Sequence, residues 1–240
     1  MGDNQCTKVR NFNEKNEHKS GSLMYFYTLY NIIMADKKTQ ATFDSIMRDL
    51  KAKKYAPVYV LMGDESYYID KISDYIAENV LDSDDRDFNQ TIVFGADTTA
   101  AQIADLARGY PVMPSQYRVV IVKEAQGLRS LDALERYFEK PLMSTILVIC
   151  YKNGTIDKRK KVVGKAEAVG LVFESKKKRD YELPSFIESY LKSKHVAIDP
   201  KSCSMIAEHI GADLRRLISE LDKVMISLPD DNRRVTPDIV

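Results

Sequence analysis

The sequence predicts an α/β fold with a mainly parallel, five-stranded sheet, followed by a small domain of three helices. Two observations lead to this prediction. Short apolar runs of strand length alternate with segments of helical periodicity as far as residue 173, and from Tyr181 onward only helical periodicity is seen. Strands joined through helices form right-handed crossovers, so helices are expected on both faces of the sheet.

The predicted elements follow from local patterns. The first strand, residues 58–62, is an unbroken apolar run between Pro57 and Gly63, which is typical of a strand buried on both faces. Further strands are predicted over residues 91–94, 118–124, 145–151 and 171–173. Helices are predicted over residues 43–50, 68–80, 100–108, 128–138, 157–168, 183–191 and 200–210, with a last helix from Asp213.

Composition divides the chain into three parts. Residues 1–33 are charged and Asn-rich and then aromatic, with an apolar run too short for a membrane span and no signal-peptide cleavage site. This extension is predicted to be disordered or to lie upstream of a natural start at Met34. An α/β domain is expected over residues 34–178 and a helical lid domain over residues 179–240.

Charge and cysteine usage exclude several classes. The chain has 240 residues, 44% of them apolar, and a formal net charge of +1, which argues against a global attraction to nucleic acid or to a membrane. Cys6, Cys150 and Cys203 form no C-x-x-C pair, and the three histidines form no ligand cluster. We therefore expect a cytoplasmic protein without a metal site.

The turn after the first strand lacks the residues that hold a nucleotide. A phosphate-binding loop, G-x-x-x-x-G-K-[ST], uses small residues, a lysine and a hydroxyl to surround the phosphates and magnesium. Counted from Gly63, its last three positions hold Tyr68, Ile69 and Asp70. Two bulky side chains would fill the loop, and the carboxylate would repel phosphate.

The acidic pair that would hold magnesium is also incomplete. In P-loop ATPases it ends the strand that is predicted here over residues 118–124. Lys123 stands where the first acid belongs, which leaves only Glu124. We predict a nucleotide-binding fold without nucleotide binding, and expect no cofactor.

An apolar segment interrupted by prolines precedes that strand. Residues 109–115 read GYPVMPS, in which two prolines prevent a continuous helix while Tyr110, Val112 and Met113 are apolar. Such a segment either packs into the core or presents apolar side chains to a partner.

Two basic runs are candidate DNA contacts, although each is also typical of a solvated helix face or a charged linker. They consist of Lys158, Arg159, Lys160 and Lys161, and of Lys176, Lys177, Lys178 and Arg179.

Five stretches together resemble the delta subunit of the bacterial DNA polymerase III clamp loader. They are PVYVLMGDESY from residue 57, RVVIVKEA from 118, IDKRKK from 156, YELP from 181 and GADLRRLISELDKV from 211. Each is weak alone, and their order and spacing over residues 40–240 carry the resemblance. It implies an AAA+-like module that has lost ATP binding, and a non-catalytic subunit of a DNA-directed DNA polymerase holoenzyme.

The resemblance also implies partners and a contact site. In that family, the segment before the third strand inserts apolar side chains into a pocket on the sliding clamp (beta) and distorts one ring interface. The corresponding residues here are Tyr110, Pro111, Val112 and Met113, with Val112 and Met113 where the family often carries Leu and Phe. Further implied partners are the gamma/tau and delta prime subunits and primer-template DNA. The family continues into a collar domain, so a chain ending at Val240 is expected to be a fragment.

The sequence disfavours two rival functions. An active P-loop ATPase is disfavoured by the substitutions at residues 68–70 and 123. A nucleic-acid-binding AAA+-like scaffold without clamp-opening activity is disfavoured by the near-neutral charge.

Overall fold

The computed structural model describes residues 41–229 and 233–239. The predicted extension over residues 1–33 and the predicted start at Met34 lie outside these residues. Among the described helices, none combines the length and the apolar character that crossing a bilayer requires.

A five-stranded, all-parallel sheet forms the centre of the α/β part. Its strands are β1 (Val58–Gly63), β2 (Gln90–Phe94), β3 (Arg118–Lys123), β4 (Thr145–Lys152) and β5 (Leu171–Ser175). They lie in the order β2-β3-β4-β1-β5. β1 is therefore paired on both edges, and all six of its residues are buried, as its unbroken apolar run predicts.

Helices cover both faces of the sheet. Those in this part are α1 (Phe43–Lys51), α2 (Ser66–Asn79), α3 (Ser83–Asn89), α4 (Ala100–Ala107), α5 (Glu135–Glu139) and α6 (Lys161–Val169). On one face, alternate strand residues such as Val60, Val120 and Ile149 pack into one core with α4, α5 and α6. Helix α2 contacts β1, β3, β4 and β5 and buries Ile72 and Ile76.

The helical part has a second apolar core. Helices α7 (Leu183–Ser193), α8 (Pro200–Ile210) and α9 (Leu214–Ser227) bury side chains such as Ile187, Ile206 and Leu217. Tyr67 and Tyr68 of α2 pack against this core from the α/β part.

The expectation of no strand beyond Tyr181 was wrong. Strand β6 (Ala197–Ile198) pairs in parallel with β7 (Arg234–Val235), which lies beyond α9. Two residues are too few to show an alternating pattern, so the pairing is invisible in the sequence.

Two helix predictions were also wrong in part, and one helix was missed. The helix predicted over residues 128–138 is broken, with a 3-10 turn at Asp132–Leu134 before the short α5. The helix predicted from Asp157 begins at Lys161, because the Asp157 carboxylate accepts from the backbone N–H of Arg159 and competes with helix formation. Helix α3 was not predicted, since it carries a single apolar residue, Phe88.

Candidate functional site

The turn after β1 contacts the end of β5. In a P-loop protein, the corresponding turn contacts the phosphates of the nucleotide instead. The backbone N–H of Asp64 donates to the carbonyl oxygen of Ser175 at 3.0 Å, and the Ser175 hydroxyl donates to the carbonyl oxygen of Glu65 at 2.6 Å. Gly63 has φ +134°, and a Cβ there would lie 1.9 Å from the same Ser175 oxygen. The glycine is therefore needed for the close approach of β5.

The start of α2 already has an anionic cap. The Glu65 carboxylate accepts from the backbone N–H of Tyr67 at 3.1 Å. Burial raises the pKa of the Glu65 carboxyl above its usual range, although that hydrogen bond acts in the opposite direction. Of the bulky residues, Ile69 is fully buried, and the Tyr68 ring lies 4.7 Å from the ring of Phe43, centroid to centroid. Both side chains therefore pack within the protein.

Asp70 lies in a cluster of four charged residues, which we call the charge cluster: Asp70, Glu124, Lys152 and Arg215. The Lys152 ammonium lies 2.7 Å from Asp70 Oδ1 and 3.5 Å from Glu124 Oε1. The Arg215 guanidinium, from the first turn of α9, contacts Asp70 Oδ2. The side chains of Asp70 and Lys152 are only 17% and 13% exposed. The negative charge that Lys152 and Arg215 contact is thus the carboxylate of Asp70, a group of the chain itself.

The two positions that replace the acidic pair are also engaged. Lys123 pairs with Asp74 of α2 at 3.0 Å. Glu124 has a left-handed backbone conformation, φ 55°, and its carboxylate accepts from the side-chain amide of Gln126 at 2.6 Å. Within residues 41–229 and 233–239, no group of three or more His, Cys, Asp or Glu side chains is arranged to hold a metal ion.

The apolar loop, residues 110–113, presents its side chains to solvent. Tyr110 is 75% exposed, Val112 50% and Met113 81%, while Pro111 is half-buried. The alternative in which Val112 and Met113 pack into the core is therefore wrong.

The backbone around these side chains is held by hydrogen bonds. Asn89, at the end of α3, is almost fully buried; its amide donates to the carbonyl oxygen of Val112 at 3.1 Å and accepts from the Val112 N–H at 2.6 Å. The Thr145 hydroxyl donates to the Gly109 carbonyl oxygen, and the Ser115 N–H donates to that of Val112. The loop combines a fixed backbone with exposed apolar side chains.

The two basic runs meet near the end of β5. Lys158 pairs with Glu174 at 2.6 Å, two residues before the second run begins. Arg159 pairs with Asp157, Lys178 lies over the Phe186 ring, and Arg179 lies over the Tyr181 ring. The four remaining basic residues, Lys160, Lys161, Lys176 and Lys177, are exposed.

Three residues of these sites were missed from the sequence. Lys152 ends β4 and could have been found, because the carboxyl ends of parallel strands meet at one edge of the sheet. Arg215 and Asn89 carry no pattern of their own, and only tertiary packing brings them to Asp70 and Val112.

Comparison with known proteins relates these features to one family. Residues 59–176 match the family model described as DNA polymerase III, delta subunit. The DNA polymerase III subunit delta of Bacillus subtilis (strain 168) is 24% identical over 205 residues, which cover 81% of this chain and 58% of that protein.

A solved structure shows the same fold. The Bacillus subtilis DNA clamp loader delta protein aligns with a TM-score of 0.69 at 23% identity, over 83% of this chain and 61% of that one. The Thermotoga maritima RuvB Holliday junction branch migration motor aligns with a TM-score of 0.46 at 15% identity, over 81% of this chain and 63% of that one. The chain spans about three fifths of the length of the delta proteins that it matches.

The predicted α/β fold with a mainly parallel, five-stranded sheet is confirmed by the observed sheet and by the likeness in fold to the clamp loader delta protein. The family model and the curated relative carry the same name as the family that the five sequence stretches resemble. Over residues 59–176 this chain matches the family of DNA polymerase III delta subunits, and a curated delta subunit and a solved delta protein resemble it over 81% and 83% of its length.

Proposed function

We propose that this chain binds the sliding clamp of bacterial DNA polymerase III through the apolar loop, and opens one interface of the clamp ring for loading onto primed DNA. The match to the delta-subunit family supports the role. The observation that carries it is the exposure of Tyr110, Val112 and Met113 on a backbone that is already held in place. A preformed loop loses little conformational entropy when it binds, so more of the contact energy remains to strain the partner.

The exposed fractions bound the energy that the loop can contribute. Full burial of a Val or Met side chain is worth about 1.5–3 kcal/mol. Scaling by exposures of 50% for Val112 and 81% for Met113 gives about 2–4 kcal/mol for the pair. This is the size of an interface hot spot.

Two substitutions in the apolar loop, with a matched control elsewhere, test this proposal. Val112→Ser combined with Met113→Ser should weaken binding of the clamp from the same organism by between about 30-fold and several hundred-fold, which is 2–4 kcal/mol at 1.4 kcal/mol per tenfold. Ile226→Ser is the control, because Ile226 is 84% exposed in the helical part. Both variants should keep the wild-type melting temperature. Wild-type affinity in the double variant would rule out the apolar loop as the clamp contact.

The charge cluster supports a clamp contact that does not depend on nucleotide. Asp70 forms ion pairs with Lys152 and Arg215 at the edge of the sheet where a P-loop ATPase binds its nucleotide. In the turn after β1, the backbone N–H of Asp64 already donates to a carbonyl oxygen of β5. Surface plasmon resonance with and without Mg–ATP should therefore give the same Kd. A lower Kd in the presence of Mg–ATP would contradict this part of the proposal.

We assign the remaining partners by the same family argument. The gamma/tau and delta prime subunits are the proposed neighbours in the loader, and residues 179–240 the proposed lid domain, which the separate core of the helical part supports. Primer-template DNA is the proposed ligand of the two basic runs, since the Lys158–Glu174 pair brings them together. Their affinity for DNA should fall steeply with salt, and a flat salt response in a gel-shift titration would remove DNA from the list of partners.

A further inference from the structure

We infer that the clamp contact extends from the apolar loop onto the end of α3, where Phe88 is a further contact residue and Asn89 a positioning residue. This inference rests on the proposed function. It adds a second chain segment, separate in sequence from residues 110–113, to the surface that meets the clamp.

Phe88 is an apolar side chain that the fold leaves in solvent. It is 69% exposed, and it is the single apolar residue of α3, whose other positions are Ser, Asp, Arg and Asn. Because α3 buries only Asn89, the phenyl ring does not serve to attach this helix to the core. Aromatic residues, Phe among them, are enriched in protein interfaces relative to the rest of the surface.

Asn89 places Phe88 beside the apolar loop. The Asn89 side chain is 1% exposed and makes two hydrogen bonds with the backbone of Val112, one in each direction. Adjacent Cα atoms are about 3.8 Å apart, so Phe88 leaves the backbone one residue from this connection. The exposed side chains of Phe88, Val112 and Met113 are therefore carried by two segments that are fixed to each other.

The clamp is the occupant that this arrangement favours. The Asn89–Val112 hydrogen bonds join the segment that carries Phe88 directly to the apolar loop, and the loop's proposed partner is an apolar pocket. Among the described residues outside the apolar loop, the other apolar side chains more than two thirds exposed, Tyr181 and Ile226, lie in the helical part, while Ile92 and Phe94 of β2 are 44% and 49% exposed.

The contact role of Phe88 is tested by Phe88→Ala in the full chain. We expect at least about a 30-fold rise in the Kd for the clamp, which is the loss that defines an interface hot spot, with an unchanged melting temperature because the ring is exposed. Ile226→Ala is the matched control and should bind as wild type. A Kd for Phe88→Ala within about twofold of wild type would overturn the contact role, since truncation of an engaged aromatic costs more than that.

The positioning role of Asn89 is tested by measurements that a general loss of stability does not change. Asn89→Ala should speed hydrogen exchange of the Val112 amide and raise the Kd of the folded chain, measured well below its melting temperature. In a Met113→Ala background the same substitution should raise the Kd by a smaller factor, because Asn89 acts through the loop. A lowered melting temperature with an unchanged Kd, or an equal Kd penalty in both backgrounds, would show a merely structural role.

Different results would refute the proposed function and its extension onto α3. If the Val112→Ser, Met113→Ser variant binds the clamp as wild type does, the proposed function itself fails. If that variant loses binding while Phe88→Ala keeps it, only the extension onto α3 fails.

Discussion

Removal of the Asp70 carboxylate should destabilise the fold far more than removal of its neighbour Asp74. Both residues lie on α2, and each pairs with a lysine from the end of a strand, at 2.7 Å to Lys152 and 3.0 Å to Lys123. The two pairs differ in burial. Asp70 and Lys152 are 17% and 13% exposed, whereas Asp74 and Lys123 are 49% and 27% exposed. The comparison therefore isolates the effect of solvent on one kind of ion pair.

The expected magnitudes follow from these exposures. Removing one partner of a fully buried pair costs about 3–5 kcal/mol, because the remaining charge loses its compensation. Asp70→Ala leaves Lys152 with Glu124 at 3.5 Å, while Arg215, at 56% exposure, can return to water. We therefore expect a loss of about 2–4 kcal/mol in the free energy of unfolding. For Asp74→Ala the expected loss is below about 1 kcal/mol, as for other exposed pairs.

Urea unfolding of the two variants and of wild type measures both values, with similar m-values as the check that the same transition is compared. Asp70→Asn is a useful third variant, since it keeps the shape of the side chain and removes its charge. Equal losses for the Asp70→Ala and Asp74→Ala variants, or a loss below about 1 kcal/mol for Asp70→Ala, would refute the reasoning that the charge cluster acts as a buried ion pair.

Three further predictions concern the same edge of the sheet. Gly63→Ala should cost at least about 2 kcal/mol in urea unfolding, because its Cβ would meet the Ser175 carbonyl oxygen at a positive φ; wild-type stability would show that β5 can move away. Glu65→Gln should gain stability relative to wild type near neutral pH and not near pH 4. The pKa of the Glu65 carboxyl is raised in the folded wild-type protein, so the wild-type protein loses stability as the pH rises from about 4.5 through that pKa. A difference in the free energy of unfolding between variant and wild type that does not change with pH would contradict this. Millimolar Mg–ATP should leave the melting temperature of the chain unchanged, and a concentration-dependent rise would show a nucleotide site.

Strong local patterns predicted most of the fold. The five strands are found where the apolar runs place them. The three central strands, β1, β3 and β4, are buried on both faces and therefore need a continuous apolar run, which is their signal in the sequence. The residues before Lys161 were assigned wrongly because a side chain, Asp157, competes for the backbone. The β6–β7 pair depends on two segments that are distant in the chain, and neither contains enough residues to form a pattern.

The site could be predicted only where it depends on residue type. The chemical misfit of Tyr68, Ile69 and Asp70 with a phosphate loop is visible in the sequence. That Asp70 instead pairs with Lys152 and Arg215 depends on how α9 packs, and no local pattern contains that information. The apolar character of residues 110–113 is likewise visible, whereas their exposure follows from hydrogen bonds made by Asn89 and Thr145 in other segments.

The connections of the apolar loop determine how the protein would respond to mechanical tension. Asn89 immediately precedes β2, the loop leads into β3 at Arg118, and Thr145 is the first residue of β4. All three connections lie at the amino ends of adjacent parallel strands, so a pull on the loop along the strand axes would be divided among the three strands. The hydrogen bonds between these strands would be strained in shear, all together, instead of opening one after another from an end.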